Sequence, residues 1–460
     1  VSPKIALSLG WLACKLSELV SDISYGYTAK AKGDPVGPRM LRITDIQNNK
    51  VDWEQVPYCE IADVLKEQYK LKEGDLLFAR TGATVGKSFL IVGTIPEAVF
   101  ASYLIRVRCI EKELSRYLSY FFRSPLYWTQ ITDFSAGIGQ PNVNGSKLQN
   151  LTVPLAPKDE QKRIADKLDA ILARVDACRE RGDRLSLILK RFRQSVLAAA
   201  TSGSLTEDWR QEFSEDEWSF SKAENLCEWI TKGTTPTKDK MYELHGEIPY
   251  IKVYNLCFDG CLDFTMNPTF IDRETHEGTL KRSKVIPGDV LMNIVGPPLG
   301  KVSIVPKSYP EWNINQAIAL FRPKERIHHK FLAYVLMSEK TITEMIRKSK
   351  ATAGQFNLTL EVCRSINVPI PSMLEQQEIV RRVETLFAYA DRLEARYTAA
   401  RTHLDRLTPA LLAKAFRGEL VPQDPNDEPA AVLLERIRAQ RQAQGTTKPK
   451  RRRSAKPQTE

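Results

Sequence analysis

The sequence predicts an α+β protein: two β-rich domains, each followed by a long helix, with the helices paired as an antiparallel two-helix coiled coil and the chain carrying an internal pseudo-two-fold repeat. Three observations support that class. The chain repeats itself with a period of about 215 residues, and a repeat dictates architecture before any other feature does. Each repeat ends in about 45 residues whose apolar positions are spaced alternately four and three apart, the seam of a coiled coil. The rest of each repeat consists of short apolar runs punctuated by Gly, Pro, Asn and Asp, the texture of strands and turns.

The duplication is legible motif by motif. Trp11, Leu19, Ile23 and Gly26 match Trp218, Leu226, Ile230 and Gly233 at an offset of 207. Gly74-Asp75-Leu76-Leu77 with Gly86-Lys87 matches Gly288-Asp289-Val290-Leu291 with Gly300-Lys301, now offset by 214. At an offset of 215, Gly139-Gln140-Pro141-Asn142 recurs as Gly354-Gln355-Phe356-Asn357, and Glu160-Gln161-Lys162-Arg163-Ile164 as Glu375-Gln376-Gln377-Glu378-Ile379. The latter pair is entered through Val153-Pro154-Leu155-Ala156-Pro157 and Val368-Pro369-Ile370-Pro371. Gly203-Ser204-Leu205 and Gly418-Glu419-Leu420 close the two copies, and insertions account for the drift in offset.

Within the first variable part, Met40 to Ile43, Leu76 to Phe78, Ser88 to Val92 and Tyr103 to Val107 read as strands. Helical patches follow at Glu113 to Phe122 and, in the second part, at Lys330 to Arg347. The first seam is Ile164, Leu168, Ile171, Val175, Cys178, Gly182, Leu185, Leu189, Phe192 and Val196. The second is Ile379, Val383, Leu386, Ala390, Leu393, Tyr397, Ala400, Leu404, Leu407 and Leu411. An intramolecular antiparallel pair is the expected arrangement, with a parallel homodimer as the alternative. Gly182 is the gap in the first seam and Tyr397 its counterpart, so an antiparallel pair centred there would let the phenol fill the hole. Pro157 suits the first turn of one helix, and Ser372 with Glu375 reads as a capping box for the other. Gly203 and Gly418 are placed to end the helices. Pro409 is expected to interrupt the second helix, with Thr408 capping a short continuation to Phe416. The resulting domains are 1–157, a helix over 158–205, 206–371, a second helix over 372–420, and a flexible basic tail over 421–460, which ends Lys448-Pro449-Lys450-Arg451-Arg452-Arg453.

A chain of 460 residues has room for about three domains. Lys plus Arg number 67 against 56 Asp plus Glu, a net charge of +11. Residues 421–460 carry only +4 of that excess, so the body is basic too, which points to an anionic partner such as nucleic acid. Eight cysteines are scattered, with only Cys257 and Cys261 close together, and the five histidines supply no second half of a zinc site. They read as buried reduced thiols. No stretch approaches the apolar length a membrane helix needs, and the chain is expected to be cytoplasmic with no membrane partner. It begins at Val1 rather than Met, which reads as a processed or truncated product.

Gly82-Ala83-Thr84-Val85-Gly86-Lys87-Ser88 is close to a phosphate-binding loop but has three residues between the glycines where that loop needs four. Its copy ends in Val302, which has no hydroxyl for magnesium. Asn267-Pro268-Thr269-Phe270 is near the loop that holds a flipped base in amino-methyltransferases, yet no glycine-rich turn for a methyl donor accompanies it. No acidic cluster with a following lysine marks a metal-dependent nuclease, and no catalytic residue is proposed. The DNA-facing candidates come in equivalent sets. The amide-rich loops offer Gln140, Asn142 and Asn144 in one copy and Gln355 and Asn357 in the other, because amides pair with adenine edges. Arg42, Thr44 and Asp45 correspond to Lys252, Tyr254 and Asn255; Arg80, Thr81 and Asn293 follow, with Lys87 and Lys301 suited to phosphate.

Two unlike β-rich domains, each followed by a proline-rich entry and a Glu-Gln helix, resemble the specificity subunit of Type I restriction-modification enzymes. The most specific stretches are Pro154 to Asp176 with Lys190 to Leu197, and Glu375 to Asp391 with Ala413 to Leu420. The resemblance implies two target recognition domains, each reading half of a split asymmetric target in double-stranded DNA, separated by conserved spacer helices. It also implies modification subunits that bring S-adenosylmethionine and methylate adenine, and restriction subunits that bring ATP-driven translocation and cleavage with Mg, while this chain holds no cofactor and catalyses nothing. A helix from Lys158 to Ala199 would be roughly 60 Å long, one to two turns of B-DNA. Two other classes remain open at this point: a nuclease or methyltransferase with unrecognised catalytic residues, betrayed by cofactor dependence of the isolated chain, and a coiled-coil scaffold, betrayed by failure to bind DNA even with modification subunits.

Overall fold

The computed structural model describes residues 7–47, 49–82, 84–135, 142–213, 217–296, 298–352 and 355–445. The chain forms two compact units, residues 1–181 with 400–460, and residues 182–399. The division falls inside both long helices, Lys158–Ser202 and Met373–Ala415, so each unit holds half of each.

In the first unit an antiparallel sheet runs in the order Val20–Tyr25, Leu104–Cys109, Leu76–Ala79, Ser88–Leu90. The last three of these fall on short apolar runs of the sequence, while Val20–Tyr25 is not among them, and Leu76, Phe78, Ile105 and Val107 place one face in a core closed by the helix Lys112–Phe121. The opposite face packs Leu77, Phe89 and Leu104 onto a second cluster around the parallel pair Arg39–Leu41 and Ala98–Phe100. The second unit repeats the order with Cys227–Lys232, Ile318–Pro323, Val290–Asn293 and Val302–Ile304.

The repeated motifs have physical reasons. Gly74 and Gly288 both sit at φ +91, where a side chain would be strained. The neighbouring Asp75 and Asp289 are buried and accept from the backbone N–H of Lys72 and Ile286 while gripping Arg108 and Arg322 with both oxygens. Glu160 and Glu375, also buried, accept the indole N–H of Trp11 and Trp218, each at 2.9 Å. Gln161 and Gln376 donate to the carbonyls of Ala156 and Pro371. The matched Glu-Gln and Trp residues are therefore one lock that ties the start of each long helix to the first strand region of its domain. Ser372 caps the second helix by accepting from the Glu375 N–H at 3.2 Å, but the Glu375 carboxylate turns to Trp218, Arg210 and Thr206, so only half of the expected capping box forms.

The helices pair antiparallel inside each unit. In the first, Arg179 reaches Asp405 at 3.2 Å. In the second, Gly182 faces Tyr397 and Arg193 reaches Asp391 and Glu394, so the partner number falls as the first rises. Tyr397 fills the space over Gly182 as expected, and its hydroxyl donates to Asp183 at 3.0 Å. Cys178 and Ala400 are exposed rather than sealed in the seam, because two helices alone bury a narrow stripe. The second helix runs unbroken through Pro409 to Ala415, correcting the expected interruption and cap at Thr408. Arg179 donates to the Leu404 carbonyl and to Asp405 in the turn that the proline ring crowds. Gly203 and Gly418, at φ +87 and +73, follow the helix ends as expected.

The tail departs most from expectation. Residues Ala430–Gly445 form a helix whose Leu433, Leu434 and Ile437 lie in the core of the first unit. Arg163 holds Asp427, Arg438 pairs with Glu18, and Arg441 donates to the Ser17 carbonyl at 2.6 Å. Under this helix the first unit has Leu12 and Cys14, where the equivalent strand of the second unit has Ser219 and Ser221. The covered copy is apolar and the other is polar, which is the physical reason the tail docks.

Candidate nucleic-acid interface

The hairpin after Leu76–Ala79 carries three of the expected contacts. It leads into Ser88–Leu90, closed by bonds from Gly86 N to the Ala79 carbonyl and from Ala79 N to the Lys87 carbonyl, both 2.9 Å. Gly82 and Gly86 sit at φ +82 and +80, and a Cβ on Gly86 would meet Trp128 at 3.2 Å. The stretch that imitates a phosphate loop is thus a β-hairpin turn. A strand follows it rather than the helix whose N-terminus a bound phosphate needs. Lys87 is exposed and Thr81 half-buried at this tip.

Arg80 lies against the ring of Tyr25, with its guanidinium carbon 5.1 Å from the ring centre. The Arg80 backbone is held on both sides, donating to the Tyr103 carbonyl and accepting from Val143 N, each at 3.0 Å. Val143 belongs to the amide-rich loop, and the Tyr25 hydroxyl accepts from Gly145 N at 2.9 Å. The structure therefore brings together Arg80, Thr81, Asn142 and Asn144, which lie some sixty residues apart in sequence. It adds Tyr25 and Tyr103, exposed aromatics absent from the candidates. The available signal for Tyr25 was its place next to Gly26, whose Cβ would fall 2.2 Å from the Ala101 carbonyl oxygen.

The second unit repeats the scaffold. Ile294 N donates to the Ala317 carbonyl and Leu358 N to the Ile294 carbonyl, each at 2.8 Å. Val295–Gly296 then pairs with the strand Gln355–Asn357. Asn357 is exposed there. Gln355 is described in its backbone only, and Gln140 lies outside the described residues. A separate cluster joins Lys252, over the ring of Tyr254, and Lys301, over the ring of Phe258, another exposed aromatic not anticipated from the sequence.

Several candidates are committed to the scaffold instead. Asp45 and Asn255 play one part in the two units, accepting from the backbone N–H of Arg42 and of Lys252 to close a tight turn. Asp45 also binds the Arg42 guanidinium, whose pKa that bond raises. Asn255 is buried and donates to the carbonyls of Asp263 and Met266. Asn293 is buried, accepts from Lys301 N and donates to the Pro298 carbonyl. Asn144 caps the short helix Gly145–Gln149 by accepting from Lys147 N. As placed, Asn255 and Asn293 have both amide atoms engaged and Asp45 is held by Arg42, which corrects the expectation for Asp45, Asn255 and Asn293, whereas Arg42 Nη1 and Asn144 Nδ2 have no hydrogen-bond partner among the described residues. Arg42, Thr44, Arg80, Thr81, Lys87, Asn142, Asn144, Lys252, Tyr254, Lys301 and Asn357 remain.

Burial pushes the thiols of Cys14, Cys109, Cys227 and Cys363 up to about 12, so they stay protonated near neutrality. His276, Glu277 and Glu311 gather within metal-ligand distances. Asn313 decides against a cation there. Its amide is oriented by bonds to the Leu280 carbonyl and from Ile314 N, so its NH2 faces His276 Nδ1 at 3.1 Å. Nδ1 must then accept, the proton sits on Nε2, and the nitrogen nearest the carboxylates has no lone pair to give. Lys284 occupies Glu277 at 2.6 Å as well. Among the described residues no helix is long and apolar enough to cross a membrane.

Comparison with known proteins agrees with the geometry. Residues 35–184 and 215–400 match the Type I restriction modification DNA specificity domain. The chain is 32% identical over 431 residues to the EcoKI specificity subunit of Escherichia coli K12, covering 90% of this chain and 91% of that one. It is 34% identical over 368 residues to the EcoBI specificity subunit of Escherichia coli, covering 75% and 77%. Among solved structures, one from a study of complex assembly and conformational transition of the type I R-M system superposes with a TM-score of 0.67 at 20% identity, covering 90% of this chain and 99% of that one. The HsdS subunit from Thermoanaerobacter tengcongensis gives 0.55 at 19% identity, covering 91% and 100%. These two likenesses concern the fold.

Proposed function

Because the chain belongs to the specificity subunits of Type I restriction-modification enzymes, its task is DNA target recognition, and we propose that each β-rich domain reads one half of a split, asymmetric site. The observation that carries this reading is one scaffold dressed twice. The hydrogen bonds that position Arg80 and Tyr103 recur around Ile294 and Ala317, and the turn that presents Thr44 recurs with Tyr254. Equal backbones with unlike side chains read unlike half-sites, whereas a symmetric dimer would read a palindrome.

The paired helices set the spacing. A 45-residue helix is about 68 Å long at about 1.5 Å per residue, on the scale of one to two turns of B-DNA. Lys87, Lys252 and Lys301 supply phosphate contacts that dock each domain, and the polar side chains beside them meet base edges. The chain is non-catalytic. Modification subunits carrying S-adenosylmethionine methylate adenine at the site it selects, and restriction subunits carrying ATP and Mg translocate and cleave. The complex works on double-stranded DNA in the cytoplasm.

The test is co-expression with the cognate modification subunit, followed by mapping of methylated adenines across genomic DNA. Methylation at one split motif, dependent on this chain and changed in one half only when residues 1–157 are exchanged for another domain, is the expected result. Methylation indifferent to the chain refutes it.

A further inference from the structure

We propose that Arg80 reads a guanine in the half-site of the first domain, with Tyr25 as the residue that positions its guanidinium. The inference rests on the reading above and makes it specific to one side chain and one base.

Seven arginines occupy residues 1–157, and their partners separate them. Arg39 donates to the Glu54 and Val56 carbonyls; Arg42, Arg106, Arg108 and Arg116 are bound to Asp45, Asp22, Asp75, and Asp166 with Asp169. Arg123 lies over Tyr120, within the field of Asp176 on the long helix. Arg80 alone of the seven stands at the hairpin beside the amide-rich loop, and its guanidinium makes no hydrogen bond or ion pair among the described residues.

Among the described residues its Nε is shielded from solvent without an acceptor, and Asn142 Oδ1 on the adjoining loop is shielded without a donor. Unsatisfied buried polar atoms are costly and uncommon in native structures, so two of them together mark a place completed by something from outside. The backbone on both sides of Arg80 is held by Tyr103 and Val143, and the ring against the guanidinium is itself held through Gly145. A planar fork held at a rigid hairpin end matches the O6 and N7 acceptors of guanine in the major groove. The equivalent backbone position in the second unit carries Ile294, which has no donor, so the base assignment belongs to the first half-site alone.

The experiment uses the full chain assembled with its modification subunits. Methylated adenines are mapped for the wild type, Arg80→Gln, Arg80→Lys and Tyr25→Phe. Binding is measured on duplexes in which each guanine of the motif in turn is replaced by 7-deazaguanine, which lacks N7. The wild type is expected to lose affinity for one 7-deazaguanine position. Arg80→Gln is expected to shift that position from guanine towards adenine and to erase the 7-deaza penalty. Discrimination should change by about 5- to 150-fold, the range for one bidentate pair. Tyr25→Phe, which loses the bond from Gly145, should weaken discrimination at the same position and leave the other half-site unchanged. A variant that lowers affinity evenly on all sequences and flattens the salt dependence makes Arg80 a phosphate contact and overturns the assignment. The 7-deaza series needs only wild-type protein, so absence of any penalised guanine in the first half-site overturns it even if a variant fails to fold. A wild type that imposes no split motif sinks the reading of the whole chain, whereas an intact motif indifferent to Arg80→Gln sinks this assignment alone.

Discussion

The contact between Gly182 and Tyr397 tests the helix pairing by a change of sign. A Cβ built on Gly182 lies 2.1 Å from Tyr397 Cε2 and 2.9 Å from Cζ, far inside van der Waals contact. In a helix interior, replacing glycine with alanine stabilises by about 1 kcal/mol through backbone entropy alone. Forcing a methyl into a filled space costs about 1–3 kcal/mol. Gly182→Ala should therefore leave the second unit between neutral and about 2 kcal/mol less stable. Tyr397→Ala removes the ring and its bond to Asp183, a half-buried loss of about 2 kcal/mol. In that background the obstruction is gone, so Gly182→Ala should stabilise by its full helix contribution of about 1 kcal/mol. Amide hydrogen exchange along the two helix segments measures each corner of the cycle without assuming that the whole chain unfolds in one step. Equal stabilisation by Gly182→Ala in both backgrounds would refute the packing, since no ring would then lie over that α-carbon.

Three further outcomes follow from the same structure. Ile437→Ala should cost about 2–5 kcal/mol in the first unit, read as lost exchange protection at Leu16–Leu19 with the second unit unchanged, because Ile437, on the docked tail helix, is fully buried against that unit. Asp289→Ala strips the Arg322 guanidinium of its carboxylate and should cost about 2–3 kcal/mol, less than for a fully buried pair since Arg322 stays partly exposed; a urea midpoint equal to wild type would count against it. Burial, aided by the Lys284 charge, lowers the His276 pKa below the ordinary value of about 6.5, so the unfolded chain takes up that proton first as pH falls. Stability of the second unit is thus complete above that value and declines below it, and His276→Gln should flatten the thermal-midpoint profile between about pH 7 and pH 5, leaving the parallel contributions of His328 and His329.

The duplication, the alternating strands and the four-three seam were open to reading because each depends on local periodicity, which a linear sequence displays directly. Gly74-Asp75 and Glu160-Gln161 stood out as motifs, yet their meaning did not. Asp75 and Glu160 are written identically whether they face DNA or hold Arg108 and Trp11. The same ambiguity explains the candidate contacts. Asn255 and Asn293 have the right chemistry for base edges but close turns with every amide atom, while nothing local marks Tyr25 and Tyr103 as site residues because their neighbours at the hairpin come from distant parts of the chain.

The tail marks the boundary most clearly. Its composition, rich in Pro, Gln, Lys and Arg, describes a solvated segment, and the heptad-like spacing of Leu433, Leu434 and Ile437 is too short to stand alone as a helix signal. What makes Ala430–Gly445 a docked helix is an apolar surface built from residues more than four hundred positions away, at Leu12, Cys14 and Leu16. Which segments repeat, which are strands and which are long helices follow from near neighbours along the chain. Which polar side chains are used up in holding turns, which remain free for a ligand, and which stretch finds a surface to cover are settled by long-range packing, because burial and hydrogen-bond satisfaction are properties of a place and not of a residue type.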